Sequence, residues 1–184
     1  MAVEVSLEFT PNPNTLKFVV NLTLLEKGAA NFTSLESAQN STLAQRLFKV
    51  EGVTGVMIGR NFVTVSKGDS GDWEKIHQLS FDAISEHLNS GGKAVETAVE
   101  SPANHLQATG EIEVQIRKVL DEEIRPAVAM DGGDITFDKY EDGVVYLFLQ
   151  GSCSGCPSST MTLKMGIETR LKELIPSIKE VVAI

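Results

Sequence analysis

Beyond Cys153 and Cys156, this chain of 184 residues has no cysteine. A small secreted scaffold stapled by disulfides uses more cysteines, spread more widely, so that class is excluded. Basic residues are scarce as well: 16 Lys and Arg face 25 Asp and Glu, for a formal charge of -9. A surface of that sign repels phosphate backbones and no basic cluster offsets it, so no nucleic-acid partner is expected. Long apolar runs are also missing. The longest, Val144 to Leu149, falls far short of the roughly 20 residues that cross a bilayer, and no membrane partner is expected. The first residues, Met1-Ala2-Val3-Glu4-Val5, lack the basic start and apolar stretch of a signal peptide and the arginines of a transit peptide. The expected location is therefore cytoplasmic. What the chain does have is 42% hydrophobic residues, enough to bury a core in one domain or two small ones.

The pattern along the chain favours two. From Asn89 to Gly110 the sequence is rich in Gly, Ala, Ser and Thr, has no Phe, Trp or Tyr, and shows little periodicity. It reads as a linker over residues 91–110, separating residues 1–90 from residues 111–184. Charge divides evenly, with 8 basic and 12 acidic residues before Glu111 and 8 and 13 from there on. Nothing in that balance would draw the two parts together. No internal repeat is present.

Strict alternation of Val3, Val5, Leu7 and Phe9 with Glu4, Ser6 and Glu8 predicts a half-buried strand. Thr10-Pro-Asn-Pro-Asn-Thr15 is a fixed loop, because its prolines block a helix and its asparagines favour turns. A strand over Leu16 to Asn21 follows, then a short helix capped by Ser41 or Thr42 and carrying Leu43, Leu47 and Phe48. Gly55 to Ile58 and Phe62 to Ser66 form a hairpin. Asp72 starts a last helix with Trp73, Ile76, Leu79 or Ser80, Ala83 and Leu88 at helical spacing.

The second part opens with Ile112, Ile116, Val119, Leu120, Ile124 and Ala127 on one helical face, with Pro126 as a point of kinking. Asp131-Gly132-Gly133-Asp134 ends that helix through the conformational freedom of both glycines. This turn outweighs a reading of its two aspartates as an acid–base or metal pair. Strands over Ile135 to Tyr140 and Val144 to Gln150 are joined at Asp142-Gly143, a strong hairpin signal. A helix from about Ser158 to Ile175 stops before Pro176, and Ile178 to Ile184 is a final strand. The fold class is α+β, with two small domains. Each is a small sheet packed against helices, the second in the order helix-strand-strand-helix-strand.

Cys153 and Cys156 stand as Cys-Ser-Gly-Cys between a strand and a helix. A tight turn of that kind brings two sulfurs to one side. Adjacent ligands on a tetrahedral ion, bonded at roughly 2.3 Å, sit about 3.8 Å apart, which suits one zinc ion or two irons of a cluster. The helix start, with Pro157 near its first position, favours thiolate. A four-ligand site needs two further donors. His77 and His87 lie in the other part and His105 in the linker, so they read as ordinary surface or linker residues. Two copies of the chain supply four cysteines, so a symmetric dimer with one cofactor on its axis is the simplest complete site. The residues alone leave open an iron–sulfur cluster, a zinc-bridged interaction module and a thiol–disulfide oxidoreductase. The last fits poorly, because only 28 residues follow Cys156.

Gly151-Ser-Cys153-Ser-Gly-Cys156-Pro-Ser-Ser-Thr-Met-Thr-Leu-Lys164, preceded by Met130-Asp-Gly-Gly-Asp-Ile135, resembles the Nfu family through its NifU-like C-terminal domain. Residues 3–90 resemble the Nfu N-terminal domain through Thr10-Pro-Asn-Pro-Asn-Thr-Leu-Lys-Phe18 and Val50-Glu-Gly-Val-Thr-Gly-Val56. The cysteine loop shows no departure from the family pattern. The resemblance implies a cluster scaffold or carrier and not an enzyme. It would hold a [4Fe-4S] cluster between two subunits through Cys153 and Cys156, as a homodimer in the loaded form. An upstream cluster-assembly scaffold would be its donor and apo iron–sulfur client proteins its acceptors. The additional cysteines of nitrogen-fixation assembly proteins are absent, which speaks against that role.

Two further features carry open alternatives. Met161 and Met165 point away from the helix's core stripe of Leu163, Ile167, Leu171 and Leu174. They either pack under the cysteine loop or belong to a dimer or client contact, where flexible thioethers suit a transient surface. The Pro-Asn-Pro-Asn loop reads as structural, with a docking epitope for a partner as the alternative.

Overall fold

Short segments rich in β-branched and aromatic residues pair into strands, and the N-terminal sequence forms five before its long helix. A computed structural model describes residues 2–96, 110–155 and 157–184, leaving aside the side chains of 157–160. In it, β1 (Val5–Phe9), β2 (Thr15–Val20), β3 (Ala30–Phe32), β4 (Val53–Ile58) and β5 (Phe62–Lys67) form one antiparallel sheet in the order β1-β2-β5-β4-β3. Helices α1 (Thr42–Phe48) and α2 (Trp73–Asn89) cover one face. Ser41 caps α1 by accepting from Ala44 N, and Asp72 caps α2 by accepting from Glu74 N, which satisfies amides that have no partner inside the helix. Leu16, Phe18, Val20, Val63 and Val65 meet Leu43, Leu47, Ile76 and Ile84 in the core of this N-terminal lobe.

Several expectations shift here. Strand β3 has no alternating run long enough to mark it in the sequence. Phe9 is 86% exposed, because β1 is the edge strand and its last residue runs past the buried cluster. On α2 the inward position is Ser80 and not Leu79, and His87 is buried with Nε2 2.8 Å from Lys93 O, so it is no surface residue. His77 stacks beside Phe18. His105 and most of the expected linker lie outside the described residues.

The C-terminal lobe follows the expected order. Helix α3 (Glu111–Val119) runs through a π-turn (Leu120–Ile124) into α4 (Arg125–Met130). Pro126 has no N–H to give to an α-helical bond, and the wider turn just before it takes up one extra residue. The helical phase advances by one, so Val128 is buried where Ala127 was expected to face inward. Strands β6 (Gly133–Glu141) and β7 (Val144–Gly151) form the hairpin, with Asp142 and Gly143 at φ 51° and 90°. Helix α5 (Pro157–Leu174) returns the chain to β8 (Glu180–Ala183), which pairs parallel with β7. Ile116, Leu120, Ile135, Phe137, Leu147, Ile167, Leu171 and Val181 fill the core. Leu174 is 42% exposed and the stripe ends on Ile175 instead, where the helix breaks before Pro176.

Strands β2 and β5 are buried along both faces, a pattern that α1 and α2 alone do not account for. Their second face packs on the C-terminal lobe, where Met57, Phe62 and Ala29 form a small cluster with Val19 and Ala129. The contact arises without complementary net charge. It is built from apolar side chains and hydrogen bonds to main-chain carbonyls.

Candidate functional site

The connection from β7 to α5 puts the cysteine loop at the C-terminal end of a strand and the start of a helix. Ser154 N and Cys153 N close the turn on Gly151 O and Gln150 O at 3.2 and 3.3 Å. Ser152 ties the loop to the turn after α4, its N–H donating to Gly132 O and its hydroxyl to Asp131 O. Cys153 is 6% exposed, and its sulfur rests on Gly133, where an added Cβ would lie 2.2 Å from Sγ. Of the two glycines of the turn, only Gly132 needs its freedom of φ, at 77°. Gly133 is required by the sulfur instead.

Burial pushes the Cys153 thiol up to about 11, against a hydrogen bond with Ser152 and aided by the negative charges of Asp131 and Asp134. The helix start therefore does not make Cys153 a thiolate in this arrangement. Cys156 lies outside the described residues. Asp134 is held in a fork by Arg125, whose Nε and Nη2 donate to Oδ1 and Oδ2 at 2.8 and 2.9 Å. With both oxygens engaged, Asp134 serves structure and not proton transfer. Among the described residues no three His, Cys, Asp or Glu side chains gather where they could hold a metal ion. Nor is any described helix long and apolar enough to cross a membrane.

A cavity of about 450 Å³ opens beside Cys153, lined by Pro11, Val128, Asp131, Ser152, Thr162 and Leu163. Pro11 belongs to the other lobe. Met161 and Met165 are each 65% exposed, and Met130 is 76% exposed. The two methionines of α5 thus do not pack under the loop.

Three side chains of the N-terminal lobe reach the loop and its supporting turn. Asn12 Nδ2 donates to Ser152 O at 3.2 Å and to Ser154 O at 2.9 Å. Thr64 donates to Gly132 O at 2.7 Å, and Lys17 Nζ to Met130 O at 2.9 Å while pairing with Glu8. Asn12 was hinted at by the fixed Pro-Asn-Pro-Asn loop that holds it. Lys17 stands in the motif Thr10 to Phe18 that carries the resemblance, whereas Thr64 carried no signal beyond its strand position.

Residues 116–182 match the model of the NifU-like domain, and residues 5–91 match that of the scaffold protein Nfu/NifU N terminal. The chain is 42% identical over 174 residues to a protein of Drosophila virilis named NFU1 iron-sulfur cluster scaffold homolog, mitochondrial. The match covers 94% of this chain and 58% of that protein. The counterpart of Drosophila erecta matches at the same identity and covers 62% of its own length. The chain thus spans about three-fifths of the curated relatives it matches. A solution NMR structure of a NifU-like protein from Saccharomyces cerevisiae aligns at TM-score 0.48 and 25% identity, covering 52% of this chain and 87% of that one. The crystal structure of protein SAV1430 from Staphylococcus aureus aligns at TM-score 0.40 and 25% identity, over 46% of this chain and 99% of that one. The cytoplasmic expectation is overturned by these names, since the relatives are called mitochondrial. That expectation rested on five residues, and five residues are a weak basis for an address.

Proposed function

The chain belongs to the Nfu/NifU scaffold family, and from that premise we propose that it carries a [4Fe-4S] cluster as cargo between two copies of itself. Cys153 and Cys156 of each copy hold it. Residues 1–90, with 91–96 packed onto them through the buried Ala94, form a recognition or scaffold module, the rest of 91–110 a linker and 111–184 the cluster-binding domain. An upstream assembly scaffold supplies the cluster, and apo iron–sulfur client proteins take it.

The supporting observation is the ligand count. The cysteine loop sits between a strand and a helix, and no third ligand gathers near it among the described residues. A cubane bound by four thiolates then draws two from each chain. Thiolate is the form that binds iron, so loading would release any proton that Cys153 and Cys156 carry. Release is the reverse exchange. An acceptor's thiolates replace these, and separation of the two copies completes the transfer with no bond-making beyond ligand substitution.

Anaerobic reconstitution with ferrous iron and sulfide tests the proposal. The expected product is brown, absorbs broadly at about 400 nm from cluster charge transfer, and has the mass of two chains. Colourless protein with about half a zinc per chain would replace it with a zinc-bridged module. Colourless protein that reduces an insulin-like disulfide would replace it with an oxidoreductase. A fully loaded single chain would defeat the shared-ligand arrangement.

A further inference from the structure

The chain's own N-terminal lobe already occupies one side of the cysteine loop, and the contacts are specific. Asn12 is 3% exposed, and both carbonyls that accept from its amide belong to residues flanking Cys153. Its Oδ1 accepts from Asn14 N at 2.9 Å, which fixes the carboxamide so that its N–H groups face the loop. The Asn12 loop is itself pinned at the far side, where Trp73 Nε1 donates to Pro13 O at 3.0 Å. On the other flank, Thr64 and Lys17 hold the carbonyls of Gly132 and Met130, next to the Gly133 on which the sulfur rests. Pro11 walls the cavity beside Cys153. All three side chains grip main-chain carbonyls, so they read the shape of the loop and not its side chains.

We propose that this surface is a clamp on the chain's own cysteine loop, with Asn12 as its positioning residue, and that it must let go before a second copy's loop can complete the site. The clamp stands on the geometry alone. Its effect on loading rests on the reading given under Proposed function. A shared cluster needs both sulfurs of a loop turned toward the twin, whereas the clamped loop turns Cys153 inward, 6% exposed. The apolar part of the contact is small, with Met57, Phe62 and Ala29 as its buried members. An interface of that kind resembles a transient one and can open reversibly. The N-terminal lobe and the twin then compete for the same loop, and a partner that draws the lobe away would license loading.

Asn12→Asp in the full chain is the sharpest test. The carboxylate keeps the acceptor for Asn14 N but places an oxygen where the two carbonyls need a donor. With the clamp open, alkylation of Cys153 in the reduced apo protein by iodoacetamide, followed by peptide mass, is expected to accelerate on the order of tenfold. Cluster loading from ferrous iron and sulfide is expected to accelerate with it, while Trp73 fluorescence stays unchanged. Should Asn12→Asp disturb that fluorescence, Thr64→Val carries the test, removing the bond to Gly132 at constant shape and with the same expected direction. Alkylation at the parent rate overturns the clamp, even if the cluster forms normally. Faster alkylation with slower loading also overturns it, because Asn12 would then be presenting the loop. Faster alkylation with no cluster in either protein upholds the clamp and defeats the cluster reading.

Discussion

The two lobes differ in how many faces their sheets bury. In the N-terminal sheet, β2 and β5 are covered on one side by α1 and α2 and on the other by the neighbouring lobe. The C-terminal sheet alternates. Val145 and Leu147 point into its core, while Phe148 on the same strand is 40% exposed. Irregular backbone is concentrated in the less covered lobe, which holds the π-turn, the left-handed Asp142 and the cysteine loop. The lobe without the cysteines buries its central strands on both faces, and the lobe with them holds the left-handed Asp142 and the exposed Met161 and Met165. On the proposed function, that difference lets the cysteine loop rearrange around cargo without unfolding the frame that presents it.

Four measurements sharpen or break that contrast. The largest effect is expected from Cys153→Ser, which should abolish cluster content while circular dichroism stays unchanged, since the remaining core is apolar. Full iron and sulfide in that variant would show that the two lobes do not divide the work as argued. Phe18→Ala comes next. The ring is fully buried, and its loss costs about 3–5 kcal/mol. Trp73 is the one tryptophan and lies in the N-terminal lobe, whereas both tyrosines, Tyr140 and Tyr146, lie in the other. Urea unfolding followed by tryptophan fluorescence should shift far more than the tyrosine signal. Equal shifts would mean that the lobes unfold as one unit.

Met161→Glu with Met165→Glu should change stability by less than about 0.5 kcal/mol, because both side chains are exposed. Cluster content or transfer to an acceptor should nevertheless fall severalfold if this face meets a second copy or a client. Unchanged content and rate would strip the two methionines of that role. The smallest effect is expected at Glu168, which accepts from Lys172 and from Val181 N at 2.6 and 3.0 Å and so fastens α5 to β8. The Lys172 bond and then the Val181 amide hold its carboxyl below the ordinary 4.5. Its stabilisation is therefore present above the unfolded value and is lost as pH falls through the lower folded one. Glu168→Gln should cost less than about 1 kcal/mol at pH 7, and the gap in denaturant midpoint should close on acidification. A gap independent of pH would assign the contact to shape and not to charge.

Local signals were readable wherever one residue settles one conformation. Ser41 and Asp72 announced their helices through side-chain oxygens that serve unpaired amides, and Asp142-Gly143 announced its hairpin through the left-handed backbone it accepts. Signals failed where the deciding partner lay elsewhere. Val128 replaced Ala127 because a wider turn upstream shifted the phase. Phe9 obeyed the alternation and still ended in solvent, because burial depends on what covers a strand end. Gly133 looked like a turn residue until the sulfur was seen against it.

The sequence by itself determined the α+β class, most of its elements, and the placing of Cys153 and Cys156 in one short loop, the count on which the proposed second copy rests. Spacing and counting are local properties, so they survive without coordinates. Only the tertiary structure decided that Cys153 is turned inward and that Asn12, 140 residues before Ser152, closes on the loop. Burial and a hydrogen bond between distant residues are set by how lobes meet, and no window of sequence contains both partners.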